Sequence, residues 1–362
     1  MVNGAFLLIK ERRSSTLTRV ATLRTQLPFF LDLTPGAKYI IGTRRNIYMK
    51  FAIISDVHGN LPALNAILED AERNNTDNFI FAGDYCLSNP FPDECITRIR
   101  NLGKKYVIRG NEESYLENLI GKDPGTWLDG QFQISYWCYR NISPENLNYL
   151  LSCPTRMKLV FENVSINISH SSADFIADSE HREWGPVKVA QRYKDTFLSQ
   201  AALNRDMHNY LKNDRQFNER LDALPDGVYI FGHTHIQWSY KSSCGKKVLI
   251  NPGSCGLALD CIESSVPYTI LDITDPENIL VEDKRVPFSK DEYIQSFIQS
   301  DQFMKASVWS KIIVKELKMS REHLTFFLQY VEEYAKKIGD DRRPFSVSTW
   351  ERAFELWEKD SC

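Results

Sequence analysis

The chain has 362 residues, enough for one large catalytic domain and a smaller appendage, and its 43% apolar and 25% charged content is that of an ordinary globular protein. A net charge of −3 supplies no basic surface for nucleic acid or an anionic membrane. No apolar run approaches the roughly 18 residues needed to cross a bilayer, which excludes a helical membrane protein.

Residues 1–48 carry eight Lys/Arg against two acidic residues, with Ser/Thr clusters and no sustained period. They read as a disordered extension, because the first strand needs nothing before Met49. An organelle-targeting peptide and an extra element packed on the domain are the alternatives. A secretory signal fits poorly, since the basic residues follow the apolar patch at 5–9 instead of preceding it.

From Met49 to about Asp123 the pattern alternates. Phe51–Ile54, Phe79–Ala82 and Tyr106–Ile108 are short apolar runs bounded by polar residues, the signature of buried strands. Between them, Leu64, Ile67, Leu68 and Ala71, and then Ile96, Ile99 and Leu102, recur at helical spacing. Strand–helix alternation predicts βαβ units. Residues 126–151 read as a helical insertion whose aromatics (Trp127, Phe132, Tyr136, Trp137, Tyr139) serve either the core or one wall of a substrate cleft. A β-hairpin is predicted over 156–170, turning near Glu162-Asn163, and a polar helical stretch over 186–222. Strands near 228–231, 236–241, 247–250, 266–272 and 278–284 then predict a second sheet.

The tail from 287 to 362 reads as a helical appendage. Ser289 and Glu292 fit a capping box. Leu324, Phe327, Leu328, Val331, Ala335 and Ile338 form an apolar stripe that expects to dock on the domain or on a second copy of the chain. The eight cysteines are scattered without a Cys-x-x-Cys pair, as free thiols of a reducing, cytoplasmic compartment are.

Five of the apolar runs end at residues that ligate metals. Ser55-Asp56-Val57-His58 follows the first, Gly83-Asp84 the second, and Arg109-Gly110-Asn111 the third. Ser165–Ile168 runs into His170, and Val228–Phe231 into Gly232-His233-Thr234-His235. Ligands in open α/β sheets bind beyond the carboxyl ends of strands. Two Asp, one Asn and four of the chain's seven His are therefore expected to converge on one centre. Asp56 and His58, two apart in an extended turn, would face one ion, and the two oxygens of Asp84 suit it to bridge two. Mixed oxygen and imidazole donors suit Mn²⁺, Fe or Zn²⁺. His181, His208 and His323 read as surface residues.

These segments resemble the calcineurin-like metallophosphoesterase superfamily over roughly Met49 to Pro287: Asp56-x-His58, Gly83-Asp84, Gly110-Asn111-Glu112-Glu113, His170 and Gly232-His233-x-His235. Ser55-Asp56-Val57-His58-Gly59-Asn60-Leu61-Pro62-Ala63-Leu64 and Asn251-Pro252-Gly253-Ser254 look like its small bacterial and archaeal branch of phosphodiesterases and diadenosine tetraphosphate hydrolases. The resemblance implies a four-layer αββα sandwich over 49–286, with the C-terminal helices appended.

It also implies two divalent cations. One would be held by Asp56, His58, Asp84 and His235, the other by Asp84, Asn111, His170 and His233, with a bridging hydroxide attacking phosphorus. The family usually has a histidine after the asparagine to protonate the leaving group; here Glu112 stands there and would act only with a raised pKa. Substrates with good leaving groups, nucleotide polyphosphates and phosphodiesters, are therefore expected, with Arg109 a candidate phosphate contact. A phosphoprotein phosphatase and a non-catalytic binding scaffold are the alternative functions.

Overall fold

Two sheets lie face to face, and the loops that leave them on one edge carry the polar motifs. The computed structural model describes residues 7–9, 37–42, 49–161, 163–194 and 196–360. In chain order the strands are β1 Leu7–Ile9, β2 Ala37–Gly42, β3 Lys50–Ile54, β4 Asn78–Phe81, β5 Lys104–Val107, β6 Arg156–Phe161, β7 Val164–Ser169, β8 Gly227–Ile230, β9 Gln237–Lys241, β10 Lys247–Pro252, β11 Ser265–Asp272 and β12 Leu280–Pro287. One sheet has the order β12-β11-β3-β4-β5, with β3, β4 and β5 parallel. The other has the order β1-β2-β6-β7-β8-β10-β9.

The helices of the first half are α1 Leu61–Arg73, α2 Pro92–Arg100, α3 Glu112–Glu117, α4 Gln133–Asn141 and α5 Pro144–Ser152. Three short helices follow β7: α6 Ala173–Ile176, α7 His181–Trp184 and α8 Pro186–Arg192. Then come α9 Gln200–Asn213 and α10 Arg215–Ala223. The tail contributes α11 Lys290–Ile298, α12 Asp301–Lys305, α13 Ser307–Met319, α14 Leu324–Ile338 and α15 Val347–Asp360.

The period of two along each strand decides which core a side chain joins. Phe51, Ile53 and Ile80 point inward to meet Leu159, Ile166, Ile168, Ile230 and Ile250 of the facing sheet. Their neighbours Ala52, Ile54 and Phe81 point outward onto Leu64, Ile67 and Leu68 of α1 and Ile96 and Ile99 of α2. On the far side, Tyr229 and Leu249 pack on Leu203, Met207 and Leu211 of α9 and Phe217 and Leu221 of α10. The result is the four-layer αββα sandwich that the resemblance implies. Covering both faces of each sheet explains why the central strands are apolar throughout rather than alternating.

Two expectations change. β11 and β12 do not extend the second sheet; β11 pairs antiparallel with β3, Thr269 opposite Ile53, and joins the first. Its interior is buried at six consecutive positions, which suits a strand covered on both faces. Within residues 1–48 the described segments are strands, β2 running parallel to β6 and β1 antiparallel to β2; otherwise that stretch lies outside the described residues.

In the tail, Phe327, Val331 and Ala335 of α14 bury against Trp350, Ala353, Phe354 and Trp357 of α15, while Ile338 stays exposed. A second cluster ties the appendage to the sandwich: Tyr293, Ile294 and Phe297 of α11 and Ile313 and Leu317 of α13 pack on Leu257 and Leu259. Among the described residues no helix is long and apolar enough to cross a membrane.

Candidate metal centre

Parallel pairing of Ile54 with Phe81, and of Ile168 with Ile230, aligns the carboxyl ends of β3 and β4 in one sheet and of β7 and β8 in the other. The loops beyond them are laced together by the backbone. Asp56 N donates to Gly83 O at 3.0 Å, His58 N to Asp84 O at 3.1 Å, and Gly232 N to His170 O at 2.9 Å. Glycines let these loops approach. A Cβ on Gly83, at φ +106°, would lie 2.6 Å from His170 Nδ1, and one on Gly232 would lie 2.4 Å from Asp56 Oδ2.

The predicted Asp-x-His geometry needs correction. Asp56 and His58 are not extended: both have left-handed backbones, φ +53° and +48°, as do Asp84 (+55°), His233 (+71°) and His235 (+60°). Such conformations cost non-glycine residues about 1–3 kcal/mol each and persist where the surroundings over-determine them, typically at functional sites. Here it is left-handed turns, not extended backbone, that bring Asp56 and His58 to one side.

Two groups of ligand atoms result, each mutually within 4.8 Å: Asp56, His58 and His235, and Asp84, His170 and His233. His58, Asp84 and Glu112 also lie within that distance of one another, so Asp84 reaches toward both groups. Asn111 opens α3 beside them as its N-cap residue and is exposed. Arg109 is engaged elsewhere, its guanidinium donating to Glu117 Oε2 at 2.9 Å.

Each imidazole except that of His233 has its Nδ1 committed. His170 Nδ1 donates to Ala82 O at 2.7 Å, His235 Nδ1 to Leu257 O at 2.8 Å, and His58 Nδ1 to Glu112 Oε2 at 2.9 Å. The Nε2 lone pairs are thereby turned to the centre. His58 Nε2 and His235 Nε2 stand 3.0 Å apart, with Asp56 Oδ1 3.3 Å from the latter. His170 Nε2 is buried without a hydrogen-bond partner, 3.1 Å from Asp84 Oδ2. Lone pairs facing one another and facing carboxylate oxygens are repulsive unless positive charge sits among them. The donor set therefore fits divalent cations of the Mn²⁺, Fe or Zn²⁺ type.

The titration behaviour agrees. Burial alone would raise Asp56 and Asp84, but the surrounding histidines, His235 foremost for Asp56 and His170 for Asp84, hold both carboxyls below the usual range. Burial works against the His170 imidazolium, yet Asp84 and Asp56 outweigh it and push the group up to about 10. Burial, followed by His170, depresses His233. The field of this site favours positive charge at its middle.

The sequence motifs include Glu113 and Asn251-Pro252-Gly253-Ser254 but do not show what these residues hold, and they pass over Tyr115. Glu113, fully buried, accepts from the backbone N–H groups of Asp84 (3.2 Å), Tyr85 (2.9 Å) and Gly110 (2.7 Å), binding the loops after β4 and β5 to one carboxylate. The Asn251-Pro-Gly-Ser254 segment is a brace: Asn251 Nδ2 donates to Gly232 O at 3.0 Å and to Thr234 Oγ1 at 2.8 Å, and Ser254 Oγ to Asp56 O at 2.8 Å. Tyr115 of α3, 45% exposed, is close enough for Glu112 and Asp84, after burial, to raise its hydroxyl, and its ring lies 6.4 Å from Phe132. His181 is not a remote surface residue: its ring lies 5.8 Å from that of His233.

Residues 49–237 match the calcineurin-like phosphoesterase family. An uncharacterized protein of Methanocaldococcus jannaschii is 28% identical over 239 residues, covering 62% of this chain and 83% of that protein. Among solved structures, a hypothetical protein of Pyrococcus horikoshii OT3 superposes with a TM-score of 0.50 at 18% identity, over 76% of this chain and 99% of the other. A metallophosphoesterase from Sphaerobacter thermophilus gives 0.49 at 22% identity, over 75% and 99%. The likeness to the Pyrococcus protein is one of fold.

Proposed function

The chain belongs to the calcineurin-like phosphoesterase family, and on that premise we propose that it hydrolyses a phosphodiester or phosphoanhydride bond of a small nucleotide with two divalent cations, Mn²⁺ foremost. The observation that carries this reading is the pair of three-residue ligand groups with Asp84 within reach of both. Asp56, His58, Asp84 and His235 would hold one cation, and Asp84, Asn111, His170 and His233 the other. Bound there, the two cations would neutralise phosphate oxygens and activate a water for in-line attack.

The protein's own part is positioning. Ala82 O, Leu257 O and Glu112 fix three imidazoles in the tautomer that presents Nε2 to the centre, and Glu113 fixes the loops. Glu112 is occupied by His58, so its role is that of a positioning residue rather than the proton donor to a leaving group. Burial, then Asp84 and Glu113, raise its carboxyl well above the usual range. With Glu112 turned to His58, substrates whose leaving group departs as a stable anion are favoured: a nucleoside phosphate or an aryl oxide rather than an alkoxide. The Tyr115–Phe132 pair offers an aromatic face for a nucleobase beside these carboxylates. Arg109 is paired through Nη1 with Glu117, and a phosphate would compete with that pair or use the other N–H groups of the guanidinium.

The test is a hydrolysis screen of purified protein with Mn²⁺, running an aryl phosphodiester, diadenosine tetraphosphate, cyclic nucleotides and a phosphopeptide. Turnover of nucleotides or the diester, abolished in Asp84→Asn, supports the proposal. Preference for the phosphopeptide, or full activity in Asp84→Asn, overturns it.

A further inference from the structure

The loop that leaves β7 after His170 carries a second set of ligand-type side chains, outside the groups already described. Asp178, Glu180 and His181 place ligand atoms mutually within 4.8 Å. Their arrangement is built rather than incidental. Ala177 and Asp178 both take left-handed backbones, φ +52° and +50°. Asp178 Oδ1 accepts from Ser172 Oγ at 2.7 Å and from Ser171 Oγ at 3.1 Å, which orients the carboxylate and leaves its second oxygen free.

Glu180 is the decisive residue. It is fully buried, and neither carboxylate oxygen has a hydrogen-bond partner. The nearby Ser172 hydroxyl has already given its proton to Asp178. A buried carboxylate is tolerated when it is paired with a cation or when it keeps its proton, and a second carboxylate at Asp178 disfavours the unpaired ionised form further. His181 completes the set: its ring lies within ligand distance of both carboxylates and makes no hydrogen bond among the described residues.

We propose that Asp178, Glu180 and His181 form a third divalent-cation site, with Ser171 and Ser172 as its outer hydrogen-bonding shell, adjoining the main centre through the contact of His181 with His233. Two carboxylates and one imidazole are a borderline donor set, suited to Zn²⁺ or Mn²⁺ rather than Ca²⁺. The site goes beyond the phosphoesterase reading and does not depend on it.

Metal counting on the full chain tests it. Protein stripped of metal, reloaded with Zn²⁺ and dialysed would be assayed for ions per chain by mass spectrometry, as wild type, Glu180→Gln, Asp178→Asn and His58→Ala. The proposal expects one ion fewer in Glu180→Gln and in Asp178→Asn, and a further loss when Glu180→Gln is added to His58→Ala. Because the result is a decrement, it stands or falls separately from the number of ions in the main centre. A Zn²⁺-soaked crystal of wild type should show an anomalous peak among the three side chains, a measurement that needs no variant. Equal ion counts in well-folded wild type and Glu180→Gln, or no peak there at saturating Zn²⁺, would overturn the site and leave Glu180 as a carboxyl that keeps its proton.

Discussion

Glu112 Oε2 accepts a hydrogen bond from His58 Nδ1 at 2.9 Å, so the residue that follows Asn111 is turned to a candidate ligand. An acceptor oxygen behind an imidazole fixes the ring's orientation and the tautomer that turns its other nitrogen to the centre. Glu112→Ala is therefore expected to weaken Mn²⁺ binding by about 10–100-fold, with Glu112→Gln, which keeps an acceptor oxygen, losing less. Titration calorimetry checks both; equal affinity in Glu112→Ala and wild type would refute the positioning role.

Asp84 lies within ligand distance of both His170 and His58. Asp84→Asn removes the charge that two cations would share. Turnover should drop at least about a hundredfold, as loss of a ligand must exceed loss of an outer-shell partner. Steady-state kinetics at saturating Mn²⁺ separates this from a mere shift in metal affinity.

Glu113 satisfies three buried backbone donors. In Glu113→Ala all three lose their acceptor, at about 1–3 kcal/mol each if no water replaces it. The expected outcome is a loss of several kcal/mol in denaturant unfolding, with the metal-free protein affected as strongly as the loaded one.

His170 is pushed up to about 10 by Asp84 and Asp56 against the effect of burial. A pKa raised on folding stabilises fully below the unfolded value near 6.5 and ceases to do so as pH rises through the folded value. Metal-free protein should thus lose stability between about pH 6.5 and 10, and His170→Gln should flatten that slope. Bound metal should also flatten it, because the metal takes the place of the proton. Urea titrations across this range decide the matter.

Tyr115, half-exposed beside Glu112 and Asp84, predicts a substrate-selective effect. Tyr115→Ala should raise KM for a nucleotide by roughly tenfold, the scale of one aromatic stacking contact. A small aryl diester, which lacks a nucleobase, should be affected less. Equal effects on both substrates would remove the stacking role.

The sequence by itself determined the strands from β3 onward, the βαβ alternation of β3 to β5, and the identity of the candidate ligand loops. Each of those rests on local information: apolar runs of strand length, glycines beside Asp84 and His233, and Asp, Asn and His types at the run ends. Asp56, His58, Asp84, His170, His233 and His235 do fall into two compact groups. What the sequence could not give was orientation. Whether β11 adds to one sheet or the other depends on pairing with β3, more than 200 residues away. The left-handed backbones that aim Asp56, His58 and Asp84 follow from hydrogen bonds between separate loops. That Glu112 turns to His58, and that His181 meets His233, depends on side chains brought together only when the two sheets pack. Residue type fixes which chemistry is available; the packing of distant loops decides which atom faces which, because hydrogen bonds and Coulomb forces act over a few ångströms of space and not along the chain.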